Sequence, residues 1–262
     1  LDTFEAPYSS MIHDFFVTKN YVAFPVLPLS GSLQRAMAGQ MPFAWEPDKG
    51  SHIGVLRRDA GIETIRWFTA DPCYVFHPMN MWEEGDTLVI DAMEYATAPL
   101  FPNADGSPGK NSSAYLMRWT IDLAANTNAV RRQRIDDMAG EFPRLDERHA
   151  GLSYRHGYFA ANSRDDGKVF FDSIAHIDHQ TGQKNVYRFA DGDAPGEPVF
   201  VPRSVHAAEG DGFLVTTVYR GRENRSDFVV FDAAAVDRGP IASAAVPRRV
   251  PFGFHGNWRP SL

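Results

Sequence analysis

The sequence predicts an all-β chain with few helices, and three observations predict it. Short runs rich in β-branched and aromatic residues recur along the chain, turn formers sit beside them, and helical periodicity is nearly absent. When few helices are available, β-surface must be buried against other β-surface. The architecture is therefore a sandwich, a barrel or a propeller.

Tyr21 to Val26 is the first such run. In Ser32 to Ala38, Leu33 and Met37 stand four residues apart, which predicts one or two helical turns that end before Pro42; this is an insert, not a layer. Tyr74-Val75-Phe76-His77 reads as a run ending at the histidine, and Thr87 to Asp91 follows the turn Glu84-Gly85-Asp86. Pro99 to Ser113 carries Pro102, Asn103, Asp105, Gly106, Pro108 and Gly109, a long stretch of loop chemistry of the kind that forms lids. Further runs are Ala114 to Trp119, Lys168 to Phe171 beside Asp166-Gly167, Gly212 to Val218 after Gly210-Asp211, and Asp227 to Phe231. His176 to Gly182 and Phe231-Asp232-Ala233 read as hairpin ends, in which an aspartate starts a turn after an outer strand. Such hairpins are frequent on propeller blades.

The chain has 262 residues, 44% hydrophobic and 23% charged, which is ample for a core; one large domain over residues 1–262 is expected. Net charge is -7 and the basic residues form no stripe, which argues against a nucleic-acid partner. Cys73 is the single cysteine, so no internal disulfide can form, and a reducing, cytoplasmic location is expected. No apolar window is long enough to span a membrane and no signal-peptide pattern opens the chain. Leu1-Asp2-Thr3-Phe4 reads like the interior of a chain, so further residues are expected upstream.

Nine histidines are present, and most are expected on the surface or as satisfied core residues. Three differ in context. His13 lies in Met11-Ile12-His13-Asp14-Phe15-Phe16, His77 in Tyr74-Val75-Phe76-His77, and His255 in Phe252-Gly253-Phe254-His255-Gly256. An imidazole buried among apolar groups needs partners for both nitrogens, and a metal plus a hydrogen-bond acceptor supplies them. The sequence thus predicts three buried histidines able to share a metal. His52, His149, His156, His176, His179 and His206 sit beside polar residues and are read as ordinary. Metal-bound histidines usually donate to carboxylates, and Glu141 and Glu197 each stand between a glycine and an apolar, proline-bearing run. Exposure at strand starts is the alternative for both. Glu84 is expected to be exposed because of the adjacent turn, and Glu83 fits either setting.

These stretches resemble the carotenoid oxygenases, the carotenoid-cleavage and lignostilbene dioxygenases, across almost the whole chain. Met11 to Phe15, Phe76-His77-Pro78-Met79-Asn80-Met81-Trp82-Glu83 and Phe252 to Gly256 look like three of that family's four iron-ligand segments. Gly140-Glu141-Phe142-Pro143-Arg144-Leu145-Asp146 and Gly196-Glu197-Pro198-Val199-Phe200-Val201 look like segments carrying glutamates that back the histidines. The resemblance implies a seven-bladed β-propeller with capping loops, of which this chain covers part. It further implies Fe(II) held by His13, His77, His255 and a fourth histidine upstream, with Glu141 and Glu197 behind two of them. The implied partners are dioxygen and an apolar conjugated substrate, an apocarotenoid or a phenolic stilbene, cut at a carbon–carbon double bond into two carbonyl products. Peripheral membrane contact is compatible with such a substrate. Residues 1–262 alone are expected to be poorly stable and nearly inactive. Met81 stands where many relatives carry alanine, which would reshape the space near His77. The rival readings are a non-catalytic propeller interaction module and a propeller hydrolase. The latter relies on carboxylate and amide ligands to a hard cation and fits the histidines poorly.

Overall fold

The structure, a computed structural model, describes residues 2–163 and 170–259. They form two compact units, Leu1–Asp137 and Met138–Leu262.

The first unit contains β1 (Phe16–Val17), β2 (Tyr21–Val26), β3 (Leu29–Gly31), α1 (Leu33–Met37), β4 (Phe43–Trp45), β5 (Ser51–Arg57), β6 (Arg66–Ala70), β7 (Tyr74–Glu84), β8 (Thr87–Tyr95) and β9 (Ala114–Asp122). One antiparallel sheet runs β1-β2-β5-β6, and β3 pairs with β4. β7, β8 and β9 form an antiparallel meander, and the turn from β7 to β8 places Gly85 at φ 60°, a left-handed position that suits glycine. Along β8 the residues from Leu88 to Met93 are all buried, so both faces of the strand are covered. Asp91 is the charge in that run. It is directly opposite Arg118 on β9, whose Nε and Nη2 each donate to one carboxylate oxygen at 2.8 Å. Such a planar two-bond pair satisfies a buried carboxylate that would otherwise be costly. The core gathers Ile53, Phe68, Tyr74, Leu88, Ile90 and Trp119.

The chain passes into the second unit within β10 (Arg131–Leu145), which is followed by β11 (His156–Asn162), β12 (Ser173–Asp178) and β13 (Lys184–Arg188). In this unit β10, β11, β12 and β13 form an antiparallel meander. A second sheet is centred on β16 (Gly212–Arg220). β14 (Ala194–Pro195) and β15 (Val199–Pro202) both pair with it on one side; on the other come β17 (Arg225–Asp232) and β18 (Pro240–Val246). Tyr158, Ile174, Phe200, Leu214 and Phe231 lie in its core.

The all-β reading holds, and α1 is the single α-helix among the described residues. Ser32 caps it by accepting the Arg35 N–H, and Leu33 and Met37 are exposed, as fits an insert. Residues 104–113 contain no strand. Lys168, Val169 and the Asp166-Gly167 turn lie outside the described residues; Phe170 and Phe171 are not in a strand, and β12 begins at Ser173. Asp178 and Asp232 do start turns, accepting the N–H groups of Gln180 and Ala234. Their strands are interior, however, because β13 and β18 add a further strand beyond each. An aspartate at a turn marks the end of a strand and carries no information about the strand's place in the sheet. No helix among the described residues is long and apolar enough to cross a membrane. Cys73 is fully buried, and burial pushes its thiol up to about 12, which keeps it inert.

Candidate functional site

In the first unit, residues 11–15 lie ahead of β1 and belong to no strand or helix. Met11 anchors them: its N–H donates to the Leu29 carbonyl at 2.9 Å and its carbonyl accepts from the Tyr74 hydroxyl at 3.3 Å. His13 stands two residues further on. His77 lies inside β7 and does not end it. The β7–β8 register shifts on both sides of Pro78, which has no N–H to give the ladder, so the strand is locally irregular at the histidine. There His13 Nε2 and His77 Nε2 stand 3.2 Å apart. The His13 ring meets Phe76 edge-on at 5.3 Å, and Phe76 is fixed in turn by edge contacts with Tyr74 and Tyr95.

Neither histidine is buried as the sequence predicts: His13 is exposed and His77 is half-buried. Ile12 and Phe15 are themselves exposed and do not wall the imidazole in. Met81 is buried in the first unit's core. Glu83 is structural. It accepts from the Thr18 hydroxyl at 2.5 Å and from Asn20 N and Nδ2 at 2.9 and 2.8 Å, fixing the turn that joins β1 to β2. Burial pushes its carboxyl up, but these hydrogen bonds outweigh that and hold it below the usual glutamate range.

In the second unit Glu141 and Glu197 are both buried, 4% and 8% exposed, which decides against strand-start exposure. Between Glu141 and Arg144 the β10–β11 register shifts, and Phe142 takes a left-handed φ of 54°. A bulge with a non-glycine residue in that region carries strain of the kind found at functional sites. It turns the Phe142 ring edge-on to His255 at 5.7 Å. Glu197 Oε1 lies 3.2 Å from His255 Nδ1, and Oε2 accepts the Gly256 N–H at 2.8 Å. His255 is exposed, and with Nδ1 turned to Glu197 its Nε2 points the other way. Sequence reasoning missed Arg144 and Phe142. Both lie beside Glu141 in the run that drew attention, but aromatic and basic residues give no local ligand signal.

The donor set suits a metal. Two nitrogens each about 2.1 Å from one ion and at right angles to each other stand roughly 3 Å apart, close to the His13–His77 separation. A carboxylate on Nδ1 of His255 is the support a metal-bound imidazole normally has. His176 is buried within the β11–β12 pairing, with Nε2 2.9 Å from His156 Nδ1 and its ring stacked on Tyr158.

The family model described as "RPE65: Retinal pigment epithelial membrane protein" matches residues 2–260. An isoeugenol monooxygenase of Pseudomonas nitroreducens is 38% identical over 98% of this chain and 56% of its own length. The crystal structure of Pseudomonas brassicacearum lignostilbene dioxygenase superposes with a TM-score of 0.93 at 33% identity, over 98% of this chain and 56% of that one. A cobalt-substituted Synechocystis ACO gives a TM-score of 0.86 at 29% identity, over 96% and 53%. The chain thus spans a little over half the length of the relatives it matches.

Proposed function

Because the chain belongs to the carotenoid oxygenase (RPE65) family, we propose that its protein is an iron(II) dioxygenase that cuts a carbon–carbon double bond of a conjugated substrate. The products are two carbonyl compounds. His13, His77 and His255 hold the metal, Glu197 fixes His255, and Glu141 backs a second of the histidines. The observation that carries this reading is the approach of His13 and His77 Nε2 to 3.2 Å. Neutral imidazoles suit iron(II) and leave the charge of the centre with the metal. When bound, the metal supplies the activation of dioxygen.

The chain's own residues do the rest. Glu197 accepts the Nδ1 proton of His255 and so selects the tautomer with Nε2 as ligand. Phe142 and Phe76, each edge-on to a histidine, restrict the rotation of those rings and offer apolar walls to a flat substrate. The names of the more identical relatives, for isoeugenol and lignostilbene, favour a phenolic alkene over an apocarotenoid. The activity is proposed for a protein of the relatives' length. Residues 1–262 by themselves are expected to turn over poorly.

Aerobic incubation of the full-length protein with a stilbene and, separately, an apocarotenal tests this, with aldehyde products read by mass. One iron per chain is expected, and His255→Ala is expected to lose both the iron and the oxygen-dependent cleavage. Full iron occupancy in that variant would overturn the assignment, and a full-length parent protein that binds no iron would favour a non-catalytic interaction module.

A further inference from the structure

We propose that Arg144 is a positioning residue that locks His255 in its ligating orientation, a proposal that rests on reading His255 as a metal ligand. Residues 250–259 form no strand or helix, and residues 251–259 are all exposed. Beyond the edge contact of Phe142 with its ring, packing therefore does little to fix the histidine's direction.

Arg144 reaches this segment from the end of β10, just past the Phe142 bulge. Its side chain is only 16% exposed. Nη1 donates to Glu197 Oε1 at 3.4 Å and to the Gly256 carbonyl at 3.3 Å; Nη2 donates to Glu147 and, at 3.5 Å, to Asn257 Oδ1. Glu197 Oε1 is the same atom that faces His255 Nδ1, and Glu197 Oε2 takes the Gly256 N–H. Gly256 is therefore held at both backbone groups, by Glu197 at its N–H and by Arg144 at its carbonyl. Arg144 ties both to the strand. The contacts to Glu197, Gly256 and Asn257 are each long for a hydrogen bond, so their effect lies in their convergence from one rigid fork, anchored by Glu147, and not in any single bond.

Removing the guanidinium leaves Glu197 with its two partners but frees the carbonyl side of the segment, so the histidine samples more directions. Partners of ligating residues change metal affinity by roughly 10- to 100-fold when lost. Lysine offers a point charge without the fork and reaches fewer of these acceptors at once.

The test uses the full-length protein with Arg144→Met, Arg144→Lys and His255→Ala, loaded with Fe²⁺ or Co²⁺. The readouts are metal release to a chelator, the visible spectrum of the Co²⁺ form and the melting temperature of the metal-free form. For Arg144→Met we expect release about tenfold or more faster, an altered Co²⁺ spectrum and unchanged metal-free melting. Arg144→Lys should fall between it and the parent. Parental release and spectrum in Arg144→Met would overturn the proposal, as would equal loss of metal-free stability and metal retention in both Arg144 variants. If His255→Ala keeps its metal, the reading of His255 as ligand fails first. If it loses the metal while Arg144→Met does not, only the role of Arg144 fails.

Discussion

At the scale of single residues, the ionisable groups divide by what surrounds them. Burial, reinforced by His156 beside it, pushes the His176 imidazole from an ordinary 6.5 down to about 4. The unfolded chain therefore binds this proton more readily than the folded one between those values. The corresponding stability is fully present above about pH 6.5 and is lost as pH falls toward about 4, by roughly 3 kcal/mol for one such group. His176→Phe keeps a ring on Tyr158 and removes the titration. Denaturant unfolding across that pH window is expected to show a flatter acid limb in the variant, and an unchanged limb would show that other groups dominate. Residue types in sequence pointed to burial for His255 and not for His176, and the structure reverses this, because burial depends on which strands cover a residue and His176 is flanked by β11 and β13.

At the scale of elements, the proposed ligands and their supports rest on irregular strands in each unit. β7 breaks register on both sides of Pro78, and β10 breaks it between Glu141 and Arg144. Regular strands were legible where β-branched and aromatic residues alternate, as in β2, β16 and β17. β10 was not, because it opens Arg131-Arg132-Gln133-Arg134 and carries Asp136 and Asp137, a charged stretch whose strand state is set by pairing and not by propensity. Gly140 shows how tightly β10 is held: a Cβ there would stand 2.5 Å from Phe159 Cδ2 and 2.6 Å from the Ala160 carbonyl oxygen. The backbone oxygen cannot swing aside. Gly140→Ala is expected to cost about 1–3 kcal/mol in equilibrium unfolding and, by displacing Glu141, to weaken metal retention. Parental stability in that variant would show that β10 yields more readily than its packing implies.

At the scale of the whole molecule, the all-β class was legible in the recurrence of short apolar runs, and the family was legible in the His13, His77 and His255 segments taken together. What could not be read is how the histidines are supported within each unit: the 3.2 Å approach of two imidazoles, the left-handed Phe142 and the reach of Arg144 all come from tertiary pairing. The sequence separates the ligand segments widely, and it predicted burial where the side chains are exposed or half-exposed. The central claim is that these histidines share one metal. Anomalous diffraction at the iron edge, on crystals of the full-length protein, tests it most directly. A single iron peak bonded to the Nε2 atoms of His13, His77 and His255 is the predicted result. Iron bound elsewhere, or a fully loaded protein with no peak at these histidines, would contradict the account.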